Sequence, residues 1–298
     1  MTKECAAMPD GGRASACSCV LDGKAYIFGG RDEKGTYLSD LWEYDPKTDN
    51  WTDLGTTPLK ARVNATIAAV DGKIYVGLGY STKKAYYKDA YMRDWWSYTP
   101  ETDTWVQLAE YPTANTVAVS SFVVEGNIYA LYGFGFGYTK DVYRYNVSEN
   151  SWSQVADNNE REWMNFGSRG ALCGGRLYFG LGYRISTLNH WFEVDLPTNT
   201  WTPRHALPGK GRVFAACAAT DKEVYILGGR FFAGEMTGGE VFDSYLRYSP
   251  DKDEWTWCGT MPCGRAENQV AFTLNGKVYF GLGEDENGHV HNTLYRIE

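Results

Sequence analysis

The chain has 298 residues, 15% of them aromatic, with 33 glycines, 11 tryptophans and 22 tyrosines. Tyr, Trp and Val suit pleated, half-buried surfaces and Gly suits tight turns, so this composition points to an all-β protein. A formal net charge of −8 without any run of Lys and Arg argues against nucleic acid and anionic membrane as partners, and no apolar stretch is long enough to cross a bilayer.

The first twelve residues, MTKECAAMPDGG, lack the apolar run of a signal peptide. From Arg13 a run of small and apolar residues, RASACSCVL, predicts a strand packed tightly on its neighbours. Asp22-Gly23 then predicts a hairpin turn, because both residue types tolerate positive φ. The second strand, AYIFGG, carries Tyr26 and ends at Gly30. The third, Asp40-Leu41-Trp42-Glu43-Tyr44, alternates with period two, as a half-buried strand does. The turn DPKTDN follows, and the fourth strand starts at Trp51.

That unit recurs along the chain. Tyr26, Tyr75, Tyr129, Tyr178, Tyr225 and Tyr279 are separated by 49, 54, 49, 47 and 54 residues. Trp51, Trp105, Trp152, Trp201 and Trp255 keep the same rhythm, at 54, 47, 49 and 54. Each Trp stands seven residues after Tyr44, Tyr98, Tyr145, Val194 or Tyr248. Hairpin signals return at Asp71-Gly72 and Asn275-Gly276, and every second strand ends on a glycine: Gly30, Gly79, Gly133, Gly182, Gly229 and Gly283. Six glycines at one place imply positive φ or a close backbone approach.

A di-glycine after an apolar strand, then a Tyr and a Trp, at about fifty residues per repeat, resembles the kelch motif. The resemblance covers essentially the whole chain. Gly29-Gly30 and Gly228-Gly229 keep the full di-glycine, while Leu78, Tyr132, Leu181 and Leu282 replace its first member elsewhere. It implies an all-β, six-bladed β-propeller forming a single domain. Its four-stranded blades are expected over 13–56, 62–109, 115–156, 166–206, 212–260 and 266–298 plus 2–8. The sixth repeat lacks a fourth strand. Glu4–Arg13 aligns with Trp257–Arg265, Met8-Pro9 on Met261-Pro262, so residues 2–8 are expected to complete the last blade from the N-terminus. Thr2 stands where the other repeats have Trp.

The repeated Tyr, Trp and Gly read as scaffold, and Cys17, Cys19 and Cys217 as small core residues. Ligand recognition is expected where the repeats disagree, at the mouth to which each unit sends two loops. The residues after the terminal glycines are Arg31, Tyr80, Phe134, Tyr183, Arg230 and Glu284. Those leading into the first strands are assigned as Arg13, Arg62, Thr116, Asn165, Arg212 and Arg265, with Glu267 close by and Trp163 near Asn165. Arginine forks hold carboxylate or phosphate, and aromatic faces stack on sugars or peptide side chains. A monomer binding a polar, anionic small molecule, a glycan or an acidic peptide is expected, alongside the reading that these arginines cap strand ends and pair with carboxylates. The long loops STKKAYYKDAYMR and FFAGEMTGGEVF add candidates for specificity.

Catalytic signals are sparse. Four histidines offer no Ser–His–acid set; His289 and His291, beside Asp285 and Glu286, read as an exposed loop, and no metal or cofactor is expected. The sets of two His, two Tyr and Cys used by copper oxidases with kelch propellers are not evident. GFGFGY, Gly133–Tyr138, lacks the Lys-Ser or Lys-Thr of a phosphate loop. Bacterial sialic acid mutarotases look like six-bladed kelch propellers with a similar terminal strand. That resemblance implies an alternative, a sugar mutarotase or epimerase using Glu267, Glu284 and Arg265. A protein-interaction scaffold is a third reading. Seven cysteines without CxxC spacing leave one thiol unpaired and favour a reducing compartment.

Overall fold

The structure, a computed structural model, describes residues 1–81, 90–114, 116–135, 138–157 and 166–298. The hairpin turns form where the sequence places them. Asp22-Gly23 has φ of 51° and 77°, Asp71-Gly72 51° and 70°, and Asn275-Gly276 52° and 73°. Two consecutive positive φ values match the twist of the flanking strands and set the register of the first two strands in these three repeats.

Six four-stranded antiparallel blades of a β-propeller result. Blade 1 comprises β2 (Cys17–Leu21), β3 (Lys24–Phe28), β4 (Asp40–Asp45) and β5 (Asn50–Thr56). Blade 2 comprises β6 (Thr66–Val70), β7 (Lys73–Gly77), β8 (Trp95–Thr99) and β9 (Thr104–Gln107). Blade 3 has β10 (Ser120–Val124), β11 (Asn127–Phe134), β12 (Tyr138–Asn146) and β13 (Ser151–Asp157). Blade 4 has β14 (Arg169–Cys173), β15 (Arg176–Gly180), β16 (Trp191–Asp195) and β17 (Thr200–Arg204). Blade 5 has β18 (Ala216–Ala219), β19 (Val224–Leu227), β22 (Ser244–Ser249) and β23 (Glu254–Thr260), and its long loop adds a small hairpin, β20 (Arg230–Phe231) with β21 (Glu240–Val241). Blade 6 is β24 (Val270–Leu274), β25 (Lys277–Gly281) and β26 (Leu294–Ile297), completed by β1 (Thr2–Cys5), which pairs antiparallel with β26 from Thr2↔Ile297 to Cys5↔Leu294. The N-terminal strand therefore finishes the last blade, as the Met-Pro alignment predicts.

The chain divides into two compact units, Ser15–Arg161 and Met1–Ala14 with Glu162–Glu298. In the first, blades 1 and 2 enclose Phe28, Ile67 and Val76, and blades 2 and 3 enclose Trp95, Tyr111 and Tyr145. In the second, blades 4 and 5 enclose Trp191, Leu207 and Tyr248, and blades 5 and 6 enclose Leu227, Met261 and Phe280. Tryptophans meet edge to face between blades 4 and 5, Trp191 with Trp255 at 5.3 Å, and between blades 2 and 3, Trp95 with Trp152 at 5.5 Å, an arrangement worth about 0.5–1.5 kcal/mol beyond the area buried. Among the described residues no helix is long and apolar enough to cross a membrane.

The terminal glycines also behave as predicted in five blades: Gly30, Gly79, Gly182, Gly229 and Gly283 have φ between 82° and 96°. In blade 3, β11 instead continues through Gly133 to Phe134 with a register shift. The preceding position is left-handed whichever residue fills it: Gly29 and Gly228 at 62° and 57°, Leu78, Leu181 and Leu282 at 58°, 63° and 55°. Conserving the turn, and not the glycine, is what the repeat requires there.

Candidate functional site

At one end of each blade the second strand runs out at its glycine and the first strand begins. Short backbone bridges join the two: Val63 with Tyr80, Val117 with Phe134, Phe166 with Tyr183, Val213 with Arg230 and Glu267 with Glu284. The next residue is left-handed in every blade: Ser15, Asn64, Ala118, Gly167, Phe214 and Asn268, with φ from 52° to 70°. Within each unit these residues are chained, the Asn64 N–H donating to Ser15, Ala118 to Asn64, and Asn268 to Phe214. A bulky Phe at positive φ carries a steric cost of about 1–2 kcal/mol, so Phe214 is held there by its surroundings.

The bridges correct the alignment of the sixth repeat. Gly30, Gly79, Gly182, Gly229 and Gly283 donate their N–H groups to the carbonyls of Arg62, Thr116, Arg212, Ala266 and Arg13. The residue leading into the sixth first strand is thus Ala266, not Arg265. Arg265 lies one place earlier, exposed and paired with Glu286 at 2.7 Å. The pattern Arg62-Val63-Asn64, Ala266-Glu267-Asn268 carries this register in the sequence, because Asn tolerates the left-handed conformation found there, at φ of 52° and 55°.

The three arginines that lead into first strands are buried, which corrects their expected availability to a ligand. Arg62 is 0% exposed and places Nη1 and Nη2 on the two Asp94 oxygens at 2.6 and 2.9 Å, with further bonds to the carbonyls of Leu78 and Lys60. Arg212 repeats the latch at the same spacing, donating to the carbonyls of Gly228 and Ser244 and to Ser244 Oγ. Burial pulls its pKa down to about 10, opposed by Asp243 and Glu240. Arg13, fully buried, places Nη2 2.6 Å from Asp10. These guanidiniums tie the start of a first strand to its own blade or to the preceding turn, the strand-capping role that the sequence left open as an alternative.

Elsewhere in Ser15–Arg161, Arg31 is half-buried and bridges Tyr37, the half-buried Phe134 bridges Val117, and Tyr80 meets Tyr91 edge to face at 5.3 Å. Asn165 and Trp163 lie outside the described residues. In the other unit the loops of blades 4, 5 and 6 bring together Tyr183, Arg230, Glu267 and Glu284. The Tyr183 hydroxyl donates to the Gly234 carbonyl at 2.7 Å and its ring meets Phe232, fastening the extra hairpin of blade 5 to blade 4. Arg230 donates from Nε and Nη2 to Glu267 Oε1 at 2.9 and 2.6 Å, and from Nη1 to the Gly238 carbonyl. Glu267 is 6% exposed, and its Oε2 is buried without a hydrogen-bond partner among the described residues. Glu284, 8% exposed, exchanges two backbone bonds with Glu267 and accepts from Asn268 Nδ2 at 3.0 Å. Blades 5 and 6 therefore hold an ion pair and a second carboxylate where blades 2 and 3 carry Val63 with Tyr80 and Val117 with Phe134. No group of three or more metal-ligating side chains occurs among the described residues.

Sequence reasoning missed Arg169. It opens β14 and is the one charged side chain on the six first strands among the described residues. The signal was present, since RGALC stands beside CSCVL, TIAAV, SSFVV, ACAA and VAFTL.

The KLHDC2/KLHL20/DRC7 Kelch-repeats domain matches residues 3–182, and the Kelch motif matches 211–262. The chain is 24% identical over 276 residues to Kelch-like protein 35 of Mus musculus, covering 91% of this chain and 44% of that protein. It is 26% identical over 329 residues to N-acetylneuraminate epimerase 1 of Escherichia coli, covering 93% and 86%. The chain thus spans less than half the length of the Kelch-like relatives it matches, 44% and 41% for two of them. The solved structure of YjhT superposes with a TM-score of 0.81 at 17% identity, over 98% of this chain and 96% of that one. Six blades with one repeated turn chemistry, and a family model spanning more than half of the sequence, place the chain in the kelch-repeat family.

Proposed function

We propose that this protein is a ligand-binding propeller and that the loop end of blades 5 and 6, at Arg230, Glu267 and Glu284, receives a polar small molecule or glycan. The carrying observation is the ion pair, at 2.6 Å, between half-buried Arg230 and buried Glu267, which stand on neighbouring backbone bridges whose counterparts in blades 2 and 3 carry apolar and aromatic side chains. Burying two charges costs desolvation that an apolar pair avoids, so a charged pair at this place is better explained by recognition than by packing. Glu267 Oε2 adds an acceptor without a donor, which a ligand hydroxyl or N–H supplies. Screening a glycan and metabolite library against the wild type, Glu267→Gln and Arg230→Met tests this. A ligand whose affinity falls at least about tenfold in both variants (about 1.4 kcal/mol), with folding intact, is expected. Ligands bound equally by all three proteins overturn the assignment.

A second reading is sugar mutarotation or epimerisation. It is favoured by the relative named N-acetylneuraminate epimerase 1, 86% of whose length is matched. Ring opening moves a proton, and Glu267 and Glu284 are the carboxylates in reach of one site. Arg265, paired with Glu286, is not part of that pair. Adding the protein to freshly dissolved N-acetylneuraminate and following anomer exchange by NMR decides it: exchange no faster than in buffer removes this reading. A third reading, interaction with a protein partner, is favoured by the Kelch-like relatives, and a pull-down yielding a partner with no small-molecule affinity supports it over the others.

A further inference from the structure

We propose that Arg169 is an anion-binding group that takes a small oxyanion, a carboxylate or phosphate group, on the guanidinium donors that no protein acceptor occupies. The residue sits on the first strand of blade 4, paired across the ladder with Gly180, and its side chain reaches the first strand of blade 5. Nε donates to the Ala215 carbonyl at 3.1 Å and Nη1 to the Ser168 carbonyl at 3.1 Å. Those bonds occupy two of the five N–H donors of a guanidinium, and among the described residues Nη2 has no acceptor. Among the described residues no carboxylate lies within ion-pair distance of it.

The surroundings are those of a built site. At the equivalent place in blade 2, Thr66 makes the same bond to the next blade, its hydroxyl donating to the Val119 carbonyl at 3.0 Å. A hydroxyl is enough for that link, so joining the blades does not require a charge. Blade 5 turns Ala215, Cys217 and Ala219 toward blade 4, small side chains that bring no charge to the guanidinium. The ionisable neighbour is the Cys217 thiol, which burial keeps protonated and uncharged, and desolvation lowers the pKa of Arg169 itself. The side chain is half-buried, and a cation partly withdrawn from water with no carboxylate beside it among the described residues favours an anion. Arg62 and Arg13 avoid this through Asp94 and Asp10, and Arg212, which spends its donors on Gly228 and Ser244, has Asp243 and Glu240 nearby. An anionic ligand supplies what the protein withholds. The anion recognition that the sequence assigns to the arginines before the first strands is thereby moved to a residue within one.

The inference does not rest on the loop-end reading. The test titrates sodium acetate, sodium phosphate and sodium chloride separately, at matched ionic strength, into the wild type, Arg169→Gln, Arg169→Met and Arg169→Lys, following binding by calorimetry and Tm in parallel. Saturable binding of acetate or phosphate beyond chloride is expected in the wild type, weakened at least tenfold in the Gln and Met variants and partly kept in Lys. Acetate alone identifies a carboxylate ligand, phosphate alone a phosphate. In anion-poor buffer the Met variant is expected to melt at or above the wild-type temperature, because an uncompensated charge is gone. Equal anion responses in all four proteins overturn the proposal, as does the absence of any response beyond chloride in the wild type. So does failure of both the Gln and Met variants to fold, which would assign Arg169 to the scaffold. A protein that binds no glycan yet keeps the Arg169-dependent response removes the loop-end reading and leaves this one standing.

Discussion

Replacing Arg62 with Ala separates scaffold from recognition at the position where the sequence was most ambiguous. The change removes a fully buried guanidinium and four hydrogen bonds, two to Asp94 and one each to the carbonyls of Leu78 and Lys60. Breaking a buried ion pair by deleting one partner costs about 3–5 kcal/mol. Asp94 is 22% exposed and keeps the Trp96 indole N–H at 3.1 Å, so part of its charge stays solvated and the lower end, about 3 kcal/mol, applies. At about 2–4 °C per kcal/mol for a chain of this size class, Tm falls by about 6–12 °C. Urea unfolding followed by tryptophan fluorescence, with thermal melts alongside, measures both. The pair Arg62→Met with Asp94→Leu should recover most of the loss, since two apolar side chains avoid the desolvation that one orphaned carboxylate suffers. A loss of less than about 0.5 kcal/mol, the usual range of a surface substitution, would refute the latch and return Arg62 to the ligand site.

Three further outcomes are expected. Gly228→Ala should destabilise by about 2 kcal/mol or more, because a Cβ there meets the Ala266 carbonyl at 2.1 Å with φ at 57°; Gly23→Ala, with open space around it, should cost about 1 kcal/mol, and equal losses would contradict the close-approach argument. Removing residues 1–7 strips β1 from β26 and leaves a strand edge open, so the variant should melt several degrees earlier and associate in size-exclusion chromatography; an unchanged melt and elution would show that β1 contributes nothing. Burial raises the thiols of Cys17 to about 12 and of Cys173 and Cys263 to about 11, so above about pH 8.5 the unfolded chain releases protons that the native one keeps. Stability is then full below that pH and lost as pH rises toward 11–12; a Cys17→Ala, Cys173→Ala, Cys263→Ala triple variant should show a shallower alkaline decline, and an identical slope would exclude the thiols as its cause.

The sequence by itself determined the repeat, its period, the hairpin turns and the strand that completes the last blade. These depend on local rules: Asp-Gly and Asn-Gly tolerate positive φ, alternation marks a half-buried strand, and a Met-Pro pair recurring out of register marks a displaced fourth strand. The Tyr–Trp spacing of seven was legible for the same reason. Tyr44, Tyr98, Tyr145 and Tyr248 each donate a hydroxyl to Asp49, Asp103, Asn150 or Asp253 in the turn five residues on, which fixes the turn length. What a charged side chain does once the strands meet was not legible, because it depends on partners as far as 16 to 46 residues away. The sequence allows Arg62 and Arg212 to be ligand forks or strand caps, and the folded chain occupies them with Asp94, Gly228 and Ser244. Arg265 looked equivalent to Arg13 until the bridge between Glu267 and Glu284 moved the register by one residue. Within its strand Arg169 is one polar residue among small ones; only the packing of blade 4 on blade 5 shows a guanidinium that two backbone carbonyls hold in place and that no carboxylate among the described residues neutralises. Local backbone preference writes the scaffold into the sequence, whereas desolvation and pairing, which decide the fate of a charge, exist only after folding.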